Sequence, residues 1–287
     1  MNNAEVIGSG ILRIKGEADG PTIGAICNIH GNEPCGRKAV QKLLREHTIE
    51  RGTLIIIDAN PNSGLLDRRF VISDMNRLFT EELLSQENPF HDLERAQYLA
   101  KTLPTLGLDH CIDFHSTSGQ TRYPFAVSFP GAEQLTNLCP VPRIYGWPGN
   151  IVGTLVEWLC QHNIPTVTIE GGQHVAQSSI EVSFTCLGSL LAHFGLVSSI
   201  DKTEPQQQLS FEIHSHTMIE DTTTFQYTRT FDSFDELQSG ELIAKDSVRS
   251  YSAPNEPGYS IMMPGLQDAI TNEGRSEGYF LMKANGN

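Results

Sequence analysis

Apolar positions along this chain follow two rhythms. Mostly apolar runs at residues 22–28, 111–114 and 165–169, and a continuous one at 53–57, read as short buried strands. Between them, apolar residues recur at three- and four-residue spacing, which predicts amphipathic helices. One starts at Pro34, a residue suited to a first helical turn, and carries Ala39, Val40, Leu43 and Leu44 through His47. Others cover 91–103, 154–162 and 182–197. Short strands alternating with helices predict an α/β domain with a largely parallel sheet. The texture changes near Ser198: residues 199–210, with Pro205-Gln206-Gln207-Gln208, read as a linker. Beyond it, short β-rich runs at 211–219, 224–230, 242–244, 260–263 and 279–282 are separated by turn-forming Gly, Pro, Asn and Asp. The expected organisation is one domain over 1–204 and a small all-β domain over 205–287.

Polar residues collect just after the predicted strands: His30 and Glu33 after the first, His115 and Glu170 after later ones. In open parallel sheets ligands bind beyond the carboxyl ends of the strands, so these residues can converge there. A histidine and a glutamate three residues apart, with a distant histidine, suffice to hold one zinc with an open coordination position. Gly31 allows close backbone approach in that loop. His115 needs an acceptor for its second ring nitrogen, and Asp113, two residues back on the strand, shares its face. Glu170 ends an apolar run and precedes two glycines; desolvation there raises a carboxyl toward the range useful for a general base. Taken separately, each has a plainer reading: a loop histidine, a first-turn acid favoured by the helix dipole, a glutamate paired with an arginine. His214-Ser215-His216 is a rival pair on a strand, but no nearby carboxylate or cysteine completes it, and His110 reads as structural.

The loop after the second strand carries Asp67-Arg68-Arg69-Phe70 and Ser73-Asp74-Met75-Asn76-Arg77. Arginine grips carboxylates in a bidentate fork, and an adjacent asparagine donates to a second oxygen, so the segment is suited to a substrate with a free carboxylate. Surface ion pairing is the usual alternative for arginine.

Composition narrows the setting. A chain of 287 residues can bury a full core, and its formal charge of −14 argues against broad nucleic-acid binding. No apolar run reaches the roughly 18 residues of a membrane span. The start, Met1-Asn2-Asn3-Ala4-Glu5, lacks a secretory pattern. Six cysteines without a CxxC pair suggest reduced thiols in a cytoplasmic protein.

Together, His30-Gly31-Asn32-Glu33, the Asn60-Pro61 turn, Arg69, Asp74-Met75-Asn76-Arg77, Asp113-Phe114-His115 and Glu170 resemble, in order, the succinylglutamate desuccinylase/aspartoacylase family, relatives of the zinc carboxypeptidases. The resemblance implies a zinc-carboxypeptidase-like α/β fold with a mostly parallel, mixed sheet flanked by helices and a small C-terminal all-β domain. It implies one zinc per chain on His30, Glu33 and His115, with Asp74 orienting His30. Glu170 would be the base that activates zinc-bound water and passes the proton to the leaving amine. Arg69 would polarise the scissile carbonyl, while Asn76 and Arg77 hold the α-carboxylate. The implied activity is deacylation of a small N-acyl amino acid, of the N-succinylglutamate or N-acyl-aspartate type. Two departures stand out. Where aspartoacylases carry an arginine for a second carboxylate, this chain has Trp158-Leu159-Cys160-Gln161. No clear counterpart of their C-terminal tyrosine exists either, and Gly274-Arg275-Ser276-Glu277-Gly278 is closer to the desuccinylase ending. Arg68 and Arg122 are open alternatives for a second carboxylate. A carboxypeptidase-like enzyme acting on short peptides and a non-catalytic metal-containing binding protein are the rival functions, and a homo-oligomer is left open.

Overall fold

The computed structural model describes residues 4–119, 121–147, 151–198, 209–265, 267, 270–271 and 276–285. The chain opens with an antiparallel pair, β1 (Ala4–Gly8) and β2 (Ile11–Lys15), then β3 (Ala18–Cys27), α1 (Cys35–Glu46) and β4 (Arg51–Asp58). Short helices α2 (Pro61–Leu65) and α3 (Glu81–Leu84) flank the arginine-bearing loop and lead into α4 (His91–Thr102) and β5 (His110–Thr117). Next come β6 (Phe125–Val127), α5 (Glu133–Leu138), β7 (Arg143–Tyr145), α6 (Leu155–Gln161), β8 (Thr166–Gln173) and α7 (Gln177–His193). The C-terminal part contributes β9 (Ser210–Met218), β10 (Gln226–Tyr227), β11 (Leu242–Lys245), β12 (Ser250–Ser252), β13 (Tyr259–Met262) and β14 (Glu277–Ala284).

Eleven strands form one mixed sheet in the order β1-β2-β4-β3-β5-β8-β6-β7-β9-β14-β13. Its centre, β4-β3-β5-β8, is parallel, as the mostly apolar runs predict: such strands are covered on both faces. Helices α1, α5 and α7 pack one apolar cluster onto one face, while α4 and α6 share in a second. The fold class expected from the sequence is therefore borne out, including a separate C-terminal three-stranded sheet of β10, β11 and β12. That part has its own apolar cluster, built from residues such as Phe225, Ile243, Tyr251 and Tyr279. Its longer strands β9, β14 and β13 instead extend the large sheet through the parallel pairing of β7 with β9.

Most predicted elements agree within a few residues. The predicted helix at 182–197 starts earlier, at Gln177, because its first turn is polar and carries no apolar periodicity. The predicted strand at 224–230 shrinks to two residues. The linker read at 199–210 lies outside the described residues over 199–208, as do residues 274–275 of the desuccinylase-like ending. Among the described residues no helix is long and apolar enough to cross a membrane.

Candidate functional site

His30 follows β3, and Glu33 sits one residue before the proline that precedes α1. The loop between them needs a glycine at 31. A β-carbon there would lie 2.0 Å from the carbonyl carbon of Ser63, so any larger residue would push the loop off α2. His115 and Glu170 are register partners on the adjacent parallel strands β5 and β8, which puts both side chains on one face of the sheet.

The donor atoms of His30, Glu33 and His115 all lie within 4.8 Å of one another, and all three residues are buried. The two rings meet edge to face at 4.9 Å. Each histidine turns Nδ1 toward Glu33: His30 Nδ1 lies 2.9 Å from Oε1, and His115 Nδ1 lies 3.2 Å from Oε2. Each has its Nε2 on an aspartate, His30 on Asp74 at 3.2 Å and His115 on Asp113 at 2.9 Å. Carboxylates on the outer nitrogens fix the tautomer and leave the inner nitrogens free to ligate. Glu33 Oε2 also accepts the Ser116 backbone N–H at 2.9 Å. Two imidazoles and a carboxylate with converging donor atoms are the donor chemistry of a zinc-type site. The residues present therefore fit a metal ion. Among the described residues no other trio of His, Cys, Asp or Glu has donor atoms so placed.

The loop carrying Arg69 is anchored from beneath by Asp92. This fully buried carboxylate in the first turn of α4 accepts the Ile72 and Ser73 N–H groups at 2.6 and 3.0 Å and the Asn60 amide at 3.1 Å. Arg69 donates to Asp74 Oδ2 through Nε (3.1 Å) and Nη2 (2.9 Å), and its Nη1 reaches Glu33 at 3.4 Å. Asp74 caps the 3-10 turn Met75–Arg77 by accepting the Asn76 N–H. Asn76 Oδ1 accepts the Leu155 N–H at 2.9 Å, leaving its amide N–H₂ as the available donor. Arg77 places Nε and Nη2 on Glu277, at 3.1 and 2.9 Å to Oε1. The sequence marks Glu277 only as part of a desuccinylase-like ending and not as a partner of Arg77, since it arrives from β14, 200 positions away.

Charge sets the protonation of the cluster. Burial pushes Glu33 upward, but His30 and His115 outweigh it and hold the carboxyl well below its usual range. Burial would lower His115, yet Asp113 and Glu33 carry it well above the usual value. Glu170 behaves in the opposite way: burial, with repulsion from Glu33, raises it to about 7 against the pull of His115, His30 and Arg69. Its Oε2 is buried without a hydrogen-bond partner. A carboxyl poised there can take and return a proton near neutral pH.

The cluster opens into a cavity of about 1010 Å³ lined by all seven of the residues the sequence singled out: His30, Glu33, Arg69, Asn76, Arg77, His115 and Glu170. Arg68 and Arg122 are exposed and do not line it. Neither do His110, whose ring stacks on Phe194 at 4.7 Å, or His214, which meets Tyr259. His216 does line it, stacked on Phe280 at 4.5 Å. His174 is a further lining residue that no motif announced. Its Nδ1 lies 2.8 Å from Ser116 Oγ, and burial holds it below the ordinary histidine value.

Comparison with known proteins bears out the resemblance read from the sequence. The sequence pattern of the succinylglutamate desuccinylase/aspartoacylase catalytic domain matches residues 19–144, a span that includes the His–Glu–His trio and the arginine loop but ends before Glu170. A probable aspartoacylase from Parasynechococcus marenigrum is 33% identical over 95 residues, a stretch covering 31% of this chain and 31% of that protein. The fold is shared with the succinylglutamate desuccinylase of Vibrio cholerae (TM-score 0.75, 19% identity, 96% of this chain and 85% of that one covered). It is also shared with a product-bound ectoine utilization protein of Ruegeria pomeroyi (TM-score 0.71, 18% identity, 96% and 88% covered).

Proposed function

With residues 19–144 matching the succinylglutamate desuccinylase/aspartoacylase catalytic domain, we propose that this chain is a zinc-dependent amidohydrolase that removes the acyl group from a small N-acyl amino acid. The observation that carries the reading is the buried His30–Glu33–His115 trio with the partnerless Glu170 carboxylate oxygen on the same sheet face. Zinc suits two imidazoles and a carboxylate and, when bound, supplies a Lewis acid that makes water a nucleophile near neutral pH.

The chain's own residues do the rest. Asp74 and Asp113 hold the two imidazoles in register. Glu170 accepts a proton from the attacking water at Oε2 and delivers it to the nitrogen of the departing amine, so that the amide C–N bond breaks to give an acid and an amino acid. Arg69, fixed by Asp74, meets the negative charge that develops on the carbonyl oxygen, without reorganising at the moment of reaction. Asn76 and Arg77 receive the substrate's α-carboxylate. Glu277 occupies part of Arg77's fork, but the two side chains are 30% and 48% exposed, and such pairs are weak enough for a substrate carboxylate to displace.

Within this class the family resemblance points to N-succinylglutamate or an N-acyl-aspartate, whereas the apolar part of the cavity wall points to a different side chain. The cavity volume would also admit a dipeptide, which keeps a carboxypeptidase-like reading in the comparison. We further propose the division into a catalytic part over 1–204 and a β part over 205–287, since the latter has its own apolar cluster. A cytoplasmic setting suits six cysteines that form no disulfide.

The test is release of free amino acid from N-acetyl, N-formyl and N-succinyl amino acids and from dipeptides, with and without a chelator. Chelator-sensitive release from an acyl amino acid supports the proposal. Release from dipeptides alone shifts it to a peptidase. A Glu170→Gln protein with a normal rate removes Glu170 from the mechanism.

A further inference from the structure

One part of the cavity wall is apolar. Val127, Phe129, Trp147, Ile151, Val156 and Phe280 line it and belong to a single packed cluster. Trp147 ties the wall together, its ring centroid 5.5 Å from Phe129 and 5.4 Å from Phe280. The wall adjoins the reacting end of the site, because the register that pairs Phe125 with Glu170 pairs Val127 with Thr168.

It adjoins the carboxylate anchor as well. Asn76 Oδ1 is bonded to the N–H of Leu155. Gly153 packs so tightly that a β-carbon would lie 2.5 Å from the Arg77 carbonyl oxygen. The stretch 151–156 therefore backs Asn76 and Arg77 and also contributes Ile151 and Val156 to the apolar wall. The part of a substrate that carries the anchored carboxylate is the amino acid, so its side chain is the group that meets this wall.

The polar groups at the wall are the Thr168 hydroxyl, the Trp147 indole N–H, which is buried without a partner, and His216, stacked on Phe280 and held below the ordinary histidine value by burial. Among the described residues, each arginine lining the cavity already faces carboxylates: Arg69 faces Asp74 and Glu33, Arg77 faces Glu277, and Arg229 faces Asp235 and Glu241. No described lysine lines it. Once Arg77 is given to the α-carboxylate, a second carboxylate set against this wall would lack a cation. Arg69 is committed to Asp74 and Glu33, and Arg229 is shared between Asp235 and Glu241 and lies over Phe231 rather than a wall residue. A hydrocarbon or aromatic side chain would find surfaces to pack against.

Resting on the deacylase reading above, we propose that this chamber receives the side chain of the released amino acid, and that the substrates are N-acyl derivatives of large aliphatic or aromatic amino acids rather than acidic ones. The missing arginine at Trp158-Leu159-Cys160-Gln161 agrees with that assignment.

The test gives metal-loaded protein the N-acetyl and N-succinyl derivatives of phenylalanine, leucine, alanine, aspartate and glutamate, and separately measures binding of free L-phenylalanine and L-aspartate by calorimetry. The expected result is kcat/KM for the phenylalanine or leucine compounds about 100-fold above the acidic ones, within the range that apolar pockets reach. L-Phenylalanine should also bind more tightly than L-aspartate. Trp147→Ala should cut the preference for phenylalanine over alanine derivatives by about tenfold. Faster release of aspartate or glutamate overturns the proposal. If no derivative is cleaved, the deacylase reading fails, and calorimetry decides the chamber separately: tighter phenylalanine binding upholds it, while equal or reversed binding overturns it.

Discussion

At the floor of the cavity every charged side chain of the His30–Glu33–His115 cluster is held by a second polar group, whereas the wall formed by Val127, Phe129, Trp147 and their neighbours carries no charge. The contrast follows from dielectric. A buried charge is tolerated only when its partners are already in place, so the floor is redundant, with aspartates behind the histidines and a backbone N–H behind the glutamate. An apolar wall needs no partners and discriminates by shape and by what it withholds. On the proposed reading, chemistry and selectivity fall to separate sets of residues, and substitutions should separate them.

The largest effect is expected at the floor. Glu170→Gln should lower kcat by about 10²–10⁴-fold while metal content, measured by elemental analysis, stays at the wild-type level. Loss of metal together with activity would show that Glu170 is part of the metal site. Stripping the metal comes next. An ion present at a thousandfold excess over its Kd stabilises the folded state by about 4 kcal/mol, so chelation should lower Tm by several degrees and added zinc should restore it. An unchanged Tm would break the comparison, because the floor would then owe its order to protein contacts alone.

Asp113→Asn, which keeps the shape of the group behind His115, should weaken metal affinity by about 10–100-fold and leave the ranking of substrates as it was. A changed ranking would mean that floor and wall are coupled. Arg77→Ala should raise KM by about tenfold with little change in kcat, the loss of one charged hydrogen-bonding partner. Arg68→Ala, on an exposed residue outside the cavity, should alter both constants by no more than about twofold.

Much of this arrangement was legible before any coordinates. The parallel core strands announced themselves as mostly apolar runs, and the polar residues near their carboxyl ends pointed to one edge of the sheet. His115 and Glu170, expected just past the strand ends, lie inside the longer strands β5 and β8. Strand alternation put Asp113 on the face of His115, and the two bond at 2.9 Å. The strands β6 and β7 escaped notice because three residues show no periodicity, and their pairing partners lie far along the chain. The pairing of Glu277 with Arg77 and the place of Trp147 escaped for the second of these reasons. A glutamate near the C-terminus and a tryptophan before a proline carry no local mark of the cavity that both line.

By itself the sequence determined the inventory: which segments must be buried, which side chains can hold a metal and move a proton, and that an arginine-rich loop accompanies them. Those properties are local, set by residue type and by spacing along a few turns. Only the tertiary structure decided how the inventory is matched. It assigned Asp74 and Asp113 to the outer nitrogens, left one oxygen of Glu170 without a partner, gave each described arginine of the cavity a carboxylate, and set an apolar wall beside Asn76 and Arg77. Such matches depend on distances between residues that the chain separates by tens to hundreds of positions, and burial decides whether a charge left unmatched can be tolerated.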